Sequence, residues 1–328
     1  MPETPGTWLI EPGIGETRAA LVHNDSIIAA RLAWPGKLAA GAVVEGVLAS
    51  RASGSARGTV RLDGGEEVLV DRLPKSASEG APIRILIHRA RIDEGTRSKR
   101  AQGRPTDEPL RPAPTLEERL RGEGHEVRIV PRFPVTGWSE LIAEAFERQV
   151  GFDGGALHLS PTPAMTLIDI DGTLPPRALA LAAVPAIAAS LMRLDIGGSV
   201  GIDFPTLQDK ADRRAADSAL EQALQGFAHE RTAMNGFGFV QIVARMEGPS
   251  ILHRVTRHRL AAAARLLLRR AEHVADPGAI LLTVHPALQA RLKAEWIGEL
   301  ARRTGREIRI GVDPALAPEA GMAQAVPL

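Results

Sequence analysis

The chain has 328 residues, 44% of them hydrophobic and 24% charged, as is usual for folded globular proteins. Lys and Arg number 40 against 39 for Asp and Glu, so a polyanion site has to be a local patch. Cysteine is absent, which excludes disulfides, thiolate zinc sites and a cysteine nucleophile. Aromatic residues make up 3% of the chain, so stacking of nucleic-acid bases is at most a minor device.

The first hundred residues predict a β-rich region. Residues 1–38 contain three short apolar runs separated by Gly, Asn and Asp, a pattern typical of strands joined by hairpins: WLIEPGI, ETRAALV and SIIAARLAW. Residues 39–100 hold further short runs, with turns at Ser53-Gly54 and Gly64-Gly65. About five short strands in this space suit a small OB-like barrel, a fold that binds nucleic acids.

Residues 101–136 are rich in proline and mix charges of both signs. This composition predicts an exposed connector, with one short helix near Leu116–Leu120.

Helical and strand patterns alternate over residues 137–248, which predicts an α/β layered domain. Its first helix, WSELIAEAFERQV, has Ser139 at a position suited to capping. Residues 249–328 predict a small C-terminal domain, in which a long helix over about 250–274 precedes a β-α-β unit. The expected fold class is therefore multidomain, combining α+β and α/β parts.

Two apolar strands of the α/β region end in aspartate. In TLIDID, Asp169 and Asp171 are two residues apart, so both point to one face of an extended strand. Asp203 ends SVGIDF after an intervening helix, and strand–helix–strand connections place two strands side by side in parallel. Three carboxylates would converge there and would need a cation, for which oxygen ligands favour Mg²⁺, or Mn²⁺. The alternative is that these aspartates cap helices or lie in solvent.

A second chemical interpretation stays open. IDIDGTL matches the DxDGT signature of haloacid-dehalogenase-like phosphatases, with Asp169 as nucleophile and Asp171 as general acid/base. That fold also needs a later pair of acidic residues, and no convincing pair follows Asp203. Serine-elbow and phosphate-loop motifs are absent, and the nine histidines form no HExxH or HxH cluster.

Basic residues that could contact phosphates occur in separate clusters. Arg97, Lys99 and Arg100 follow the last predicted barrel strand. A further cluster, Arg265, Arg269 and Arg270, lies on the predicted C-terminal helix. Charge runs are usually solvated faces, which is the alternative for each cluster.

Several segments together resemble the ribonuclease E/G family: GWSELIAEAFERQVGFDGGALHLSPTPAMTLIDID, AIAASLMRLDIGGSVGIDF, NGFGFVQIVAR and RTGREIRIGVDPAL. The resemblance covers nearly the whole chain outside the proline-rich connector and is strongest from Gly137 to Arg245. It implies a DNase I-like nuclease domain. It also implies that Asp169 and Asp203 hold a Mg²⁺ whose water attacks single-stranded RNA, leaving 5′-phosphate and 3′-hydroxyl ends. Asp171 stands where the family has asparagine, and would orient the water or add a ligand.

The chain also departs from the family pattern. The 5′-monophosphate sensor, with most of the adjoining ribonuclease-H-like subdomain, is missing between about Arg100 and Phe133. The CPxC zinc link is replaced by GPSILH, so any homodimer is not linked by zinc. Thr59 falls at the family's aromatic stacking position, and Gly236 replaces the arginine of RFG. The chain thus keeps the family's metal ligands but lacks several of its RNA-binding residues. The alternative to an active nuclease is therefore an RNA-binding relative with little activity.

The sequence therefore predicts a Mg²⁺-dependent endoribonuclease that takes part in RNA processing or decay. The catalytic residues would be Asp169, Asp171 and Asp203, with Asp169 and Asp203 as metal ligands. No signal peptide or membrane-length apolar segment is recognised, so we expect a cytoplasmic protein without a membrane partner.

Overall fold

The computed structural model describes residues 6–95 and 97–328. Residues 1–5 of the predicted N-terminal segment lie outside the described residues, as does Thr96, which lies one residue before Arg97.

The chain opens with three antiparallel strands: β1 (Trp8–Gly13), β2 (Glu16–His23) and β3 (Ser26–Ala33). The β1–β2 turn places Gly15 at φ +71°, where glycine is favoured because it has no side chain to clash. The three strands predicted for residues 1–38 are confirmed in the described part of that range.

A closed five-stranded barrel follows, as predicted. Its strands are β4 (Val43–Arg51), β5 (Gly58–Leu62), β6 (Glu67–Val70), β7 (Pro82–Arg89) and β10 (Ala101–Pro105). A short hairpin of β8 (Ile92–Asp93) and β9 (Ser98–Lys99) is inserted between β7 and β10. The strand order is β10-β6-β5-β4-β7, and β8 pairs with β9 outside the barrel. Side chains such as Val60, Val68 and Ile85 fill the barrel and are fully buried. Strand β10 closes the barrel, so the barrel extends beyond Arg100, which is the last residue of the range predicted for it.

The proline-rich stretch contains more structure than a connector. Helix α1 (Leu116–Gly122) matches the predicted short helix, and Thr115 and Glu118 form a capping box at its start. Strand β11 (Val127–Ile129) then pairs in parallel with β1, which makes the first sheet four-stranded. The residues from 101 to 136 therefore contribute strands to both neighbouring sheets.

The next unit is a six-stranded mixed sheet with helices. Its elements are α2 (Trp138–Glu147), β12 (Gln149–Phe152), β13 (Gly155–Pro161), β14 (Thr166–Gly172), α3 (Pro176–Arg193), β15 (Gly198–Asp203), α4 (Lys210–Ala223), β16 (His229–Arg231) and β17 (Phe239–Ala244). The strand order is β12-β13-β14-β15-β17-β16. Ser139 does not cap α2, since the helix starts at Trp138 after Gly137, whose φ is +101°.

Helix α3 covers one face of this sheet through Leu179, Ala183 and Ile187, which are buried in the largest core. Among the described residues it is also the one helix long and apolar enough to cross a membrane. This differs from the expectation that no segment reaches that length. Here α3 packs on β12, β13, β14 and α4, as the core helix of a folded domain does. The opposite side of the sheet, which carries His158, Asp169, Asp203 and Phe239, is called the open face below.

The C-terminal part contains the predicted β-α-β unit. Its elements are α5 (Ile251–Arg257), α6 (Arg259–Glu272), β18 (Ala279–Val284), α7 (Pro286–Gln289), α8 (Ala294–Thr304), β19 (Ile308–Val312) and β20 (Gly321–Val326). Strand β18 pairs in parallel with β19 and antiparallel with β20. The single helix predicted over about 250–274 is wrong, because the chain breaks into α5 and α6 at His258, whose φ is −129°.

A buried polar network fastens α6 to the first sheet. Glu11 accepts hydrogen bonds from Arg269 at 2.7 and 3.1 Å and from Arg18 at 2.6 Å. Arg265 donates to the carbonyl of Gly15 and lies over the Trp296 ring at 4.7 Å. Arg265 and Arg269 are therefore structural, which corrects their assignment as candidate phosphate contacts.

Candidate active site on the open face of the sheet

Asp169 and Asp203 are neighbours on two parallel strands. Helix α3 connects β14 to β15, and the register pairs Ile168 with Ile202 and Asp169 with Asp203. The parallel pairing inferred from the strand–helix–strand order is confirmed. Because register partners project to the same side of a sheet, both aspartates lie on the open face.

Alternation along β14 separates the core from the site. Ile168 and Ile170 are buried beneath the sheet, whereas Asp169 and Asp171 are exposed on the open face. Asp171 lies beyond the point where β15 ends, and its register partner is Ala156 on β13. Its Oδ1 accepts a hydrogen bond from the backbone N–H of Gly172 at 2.8 Å.

The structure does not bring three carboxylates together. Within residues 6–95 and 97–328, no group of three or more His, Asp or Glu side chains is placed to hold a metal ion. The expected three-carboxylate cluster is therefore not formed, and Asp169 and Asp203 remain as a pair. In the same ranges, neither carboxylate makes a hydrogen bond or a salt bridge to another side chain. Two adjacent negative charges are thus left without a protein cation.

The aspartate pair belongs to a row of four side chains across the open face. His158 on β13 is the register partner of Asp169, and Phe239 on β17 is the register partner of Asp203. Sequence analysis missed His158. The available signal was the alternation in ALHLS, which assigns His158 and Ser160 to one face and the leucines to the other.

An apolar surface borders the pair on the β17 side. A Cβ atom added at Gly201 would lie 2.5 Å from the Phe239 ring and 2.8 Å from the Met165 sulfur, so both side chains cover this glycine. Gly201 lies two residues before Asp203 on the same face. The chain needs glycine there to let Phe239 and Met165 approach the sheet.

Phe237 projects from the loop between β16 and β17. Asn235 Oδ1 accepts hydrogen bonds from the backbone N–H groups of Phe237 and Phe239 at 2.9 and 3.0 Å. The carbonyl of Gly238 accepts a hydrogen bond from the N–H of Phe204, directly after Asp203. The phenyl ring is 86% exposed, and every other phenylalanine and tryptophan of the chain, all within the described residues, is half-buried or buried. A loop held by these hydrogen bonds therefore presents one aromatic residue to solvent, next to the end of β17 that pairs with Asp203.

The three basic residues predicted to bind RNA lie together around β9, and each contacts a carboxylate. Lys99 Nζ lies 2.7 Å and Arg97 Nε 3.2 Å from Glu94, whose carboxylate is buried, and Arg100 lies 3.1 Å from Glu67. Arg97 is the most exposed of the three, at 66%, whereas Lys99 is 31% exposed. Arg97 is therefore the best placed of them to meet a phosphate.

A basic groove joins this region to the six-stranded sheet. Arg91, Arg97 and Arg257 line it, and it encloses about 360 Å³. Arg257 donates a hydrogen bond to the carbonyl of Pro161, where β13 ends just before β14 begins. Sequence analysis did not single out Arg257, which enters the groove because α5 packs against the sheet domain.

The similarity to known proteins covers the region that contains the candidate site. Residues 111–245 match the sequence model of the Ribonuclease E/G family, and this range contains Asp169, Asp203 and Phe237. Ribonuclease G of Salmonella typhimurium (strain SL1344) is 28% identical over 223 residues, covering 58% of this chain and 44% of that protein. Ribonuclease G of Escherichia coli (strain K12) is 28% identical over 216 residues, covering 56% of this chain and 44% of that protein. The chain thus matches less than half the length of these curated relatives.

Proposed function

We propose that this chain, a member of the ribonuclease E/G family through its residues 111–245, is a Mg²⁺-dependent endoribonuclease that cuts single-stranded RNA. The observation that carries the proposal is the register pair Asp169 and Asp203, which lies inside the matched region. The products would have 5′-phosphate and 3′-hydroxyl ends, and the role would be in RNA processing or decay.

The donor set of the pair fits Mg²⁺. This ion keeps several waters and is commonly held by one or two carboxylates together with phosphate oxygens of the substrate. A site with Asp169 and Asp203 as its protein ligands therefore suits Mg²⁺, and Mn²⁺ accepts the same oxygen ligands. When bound, the ion would supply neutralisation of the phosphodiester charge and activation of the attacking water.

His158 and Asp171 would move a proton and orient the attacking water. Departure of the 3′-oxygen in hydrolysis requires a proton, and an imidazole can supply one. His158, beside Asp169 on the open face, is our candidate for that donor. Asp171, which hydrogen-bonds Gly172 and lies beyond Asp203, would act on the water's orientation rather than as a third ligand.

The RNA path would run along β14. The basic groove meets the sheet at Pro161, the register partner of Thr166 at the start of β14. Asp169 lies three residues further on, which is about 10 Å along a strand. Phe237 lies past Asp203 in the same direction. A strand that places phosphates on Arg97 and Arg257 and stacks a base on Phe237 would thus pass both aspartates.

The test is cleavage of a fluorescent single-stranded RNA oligonucleotide with and without Mg²⁺, comparing wild type with Asp203→Asn. We expect metal-dependent internal cleavage by wild type and its loss in the variant, with RNA binding retained. Equal inactivity of both proteins, with RNA still bound, would instead establish an RNA-binding relative without catalysis. Turnover of a small phosphomonoester that is lost in Asp169→Asn would favour the phosphatase alternative.

Three further properties remain predictions. A cytoplasmic location could be checked by fractionation of the native host cells. A homodimer without zinc could be checked by light scattering in the presence of a chelator. Loss of preference for a 5′-monophosphate could be checked by comparing cleavage of 5′-phosphorylated and 5′-hydroxyl oligonucleotides.

A further inference from the structure

A separate cleft lies between the barrel and helix α5, away from the aspartate pair. It encloses about 580 Å³. Trp34 and Lys37 from the segment after β3, Gly64 and Gly65 from the β5–β6 turn, and Arg254 of α5 contribute to its walls. A volume of this size falls in the range of sites that hold small ligands.

Arg254 is a half-buried cation without a direct ion pair in the wall of this cleft. Its Nε atom is sealed from solvent and has no hydrogen-bond partner. Across the described ranges, its guanidinium makes neither a side-chain hydrogen bond nor an ion pair within 4.0 Å, and its ring contact is with Trp34 at 5.8 Å. Burial lowers the pKa of Arg254 to about 10; the charges of Arg119 and Arg265 add to this effect, and those of Asp195 and Glu16 oppose it.

A sealed nitrogen without a partner also occurs in Arg84, Arg89 and Arg119, but each of these guanidinium groups has an acceptor at another nitrogen. Arg18 binds Glu11 and Glu16 at 2.6 Å, and Arg265 donates to the carbonyls of Gly15 and Ala261. Removing a charge from water without pairing it is costly, because the lost hydration is not replaced. The exception at Arg254 therefore indicates an anionic partner that arrives from the cleft.

The other charged groups in the cleft leave a positive excess. Asp93 is shared by Arg91 at 3.1 Å, His258 at 3.3 Å and Lys37 at 3.7 Å, so one carboxylate faces several donors. Glu66 is the second carboxylate of the lining. Lys37 is 64% exposed and can turn towards a ligand. His253, whose pKa burial lowers to about 4, contributes no charge near neutral pH.

Glycines leave the rim of the cleft accessible. A Cβ atom added at Gly36, Gly64 or Gly65 would meet no atom within 4 Å, so a ligand can approach the backbone closely there. A guanidinium offers several donors in a planar fork that matches the oxygens of a phosphate group.

We infer that this cleft binds a phosphate group through Arg254 and Lys37, supplied either by a free nucleotide or by an RNA strand. The site does not depend on the chemistry assigned to Asp169 and Asp203. It shares Arg91, Asp93 and His258 with the basic groove, so a bound RNA strand could occupy both.

Calorimetric titration tests the inference directly. Inorganic phosphate, adenosine monophosphate and a short single-stranded RNA would each be titrated into full-length protein carrying Asp203→Asn, so that RNA is not cut. The same background would carry Arg254→Met, Arg254→Lys, Lys37→Ala or, as a control, Arg291→Met, an exposed arginine on the C-terminal domain. Circular dichroism would verify that each variant is folded.

We expect phosphate and the nucleotide to bind, with affinity reduced about tenfold or more in Arg254→Met and less in Lys37→Ala, and unchanged in Arg291→Met. Competition by RNA would identify the RNA strand as the source of the phosphate, and its absence would identify a free nucleotide. The inference is overturned if none of the ligands binds, or if Arg254→Met and Lys37→Ala bind as tightly as the control. If Arg254→Met fails to fold, the ligand affinities of Lys37→Ala, which alters an exposed residue, and of Arg254→Lys are compared with that of Arg291→Met instead.

Discussion

Asp169 and Asp203 face one another across adjacent parallel strands, on an open face where no side chain of the described residues forms an ion pair or hydrogen bond with them. Like charges opposite each other on neighbouring strands destabilise a sheet by roughly 0.2–1 kcal/mol. The sheet therefore carries a small energetic cost that a bound cation would remove.

Asp203→Asn should stabilise the protein in the absence of Mg²⁺ while abolishing metal-dependent cleavage. Removing one of two adjacent charges relieves repulsion, and we expect a gain of about 0.2–1 kcal/mol in the free energy of unfolding. Mg²⁺ should raise the melting temperature of wild type, because the ion binds the folded state, and should not raise that of the variant. The measurement is thermal unfolding with a chelator and then with added Mg²⁺.

Asp171→Asn is the matched control for this experiment, since its register partner is Ala156 rather than a second carboxylate. It should keep the Mg²⁺-dependent increase in melting temperature. If Asp171→Asn lost that increase while Asp203→Asn kept it, the assignment of the two ligands would be wrong.

Phe237→Ala should weaken binding of single-stranded RNA. Stacking of a base on an aromatic ring contributes about 1–3 kcal/mol. An RNA containing 2-aminopurine should show fluorescence quenching with wild type and little with the variant, measured in the Asp203→Asn background. Val243→Ala, on the same face but further from Asp203, should leave both quenching and affinity unchanged. Equal quenching by Phe237→Ala and wild type would show that the ring does not stack on RNA.

The aspartate pair could be predicted because its determinants are local. The runs TLIDID and SVGIDF are apolar, each ends in aspartate, and the helix between them requires a parallel crossover. The five-stranded barrel was accessible for the same reason, since most of its strands follow one another along the chain.

Features that depend on distant partners could not be predicted. Strands β10 and β11 lie in a proline-rich stretch whose composition indicates a connector, and they form because Val68 and Trp8 offer paired backbone groups. Likewise, the sequence predicts a phosphate contact or a solvated charge at Arg269, yet its carboxylate partner Glu11 is 258 residues away. Local sequence indicates the conformational preference of a segment, whereas its strand partners and side-chain contacts depend on residues that are distant in the sequence.

Glu11→Gln should destabilise the protein severely. Burial raises the pKa of Glu11, but the hydrogen bond from Arg269 and the charge of Arg18 outweigh this and hold it below its ordinary value. An amide would leave the Arg269 guanidinium without a carboxylate partner and Arg18 with Glu16 alone, at a cost of about 3–5 kcal/mol. Urea unfolding measures the change in the free energy of unfolding.

Glu295→Gln is the control, because it breaks an exposed ion pair with Lys293. It should lower the free energy of unfolding by less than about 1 kcal/mol. Similar losses in both variants would contradict a structural role for the network.

Acid should weaken the fold through His253. Burial lowers the pKa of this imidazole from 6.5 to about 4, and the charges of Arg257 and Lys99 add to the effect against that of Glu94. Its Nδ1 lies 2.9 Å from Ser250 Oγ in the cap of α5. Above pH 6.5 the residue is neutral in both the folded and the unfolded state, so it adds no pH dependence there. As the pH falls from 6.5 towards 4, only the unfolded chain takes up the proton, and stability should drop by about 3 kcal/mol. Below about pH 4 the folded protein also binds the proton and this contribution levels off.

Urea unfolding across this range should show a shallower decline in His253→Gln, whereas His23→Gln, which alters an exposed imidazole, should follow wild type. A decline in His253→Gln as steep as that of wild type would assign the acid sensitivity to other groups.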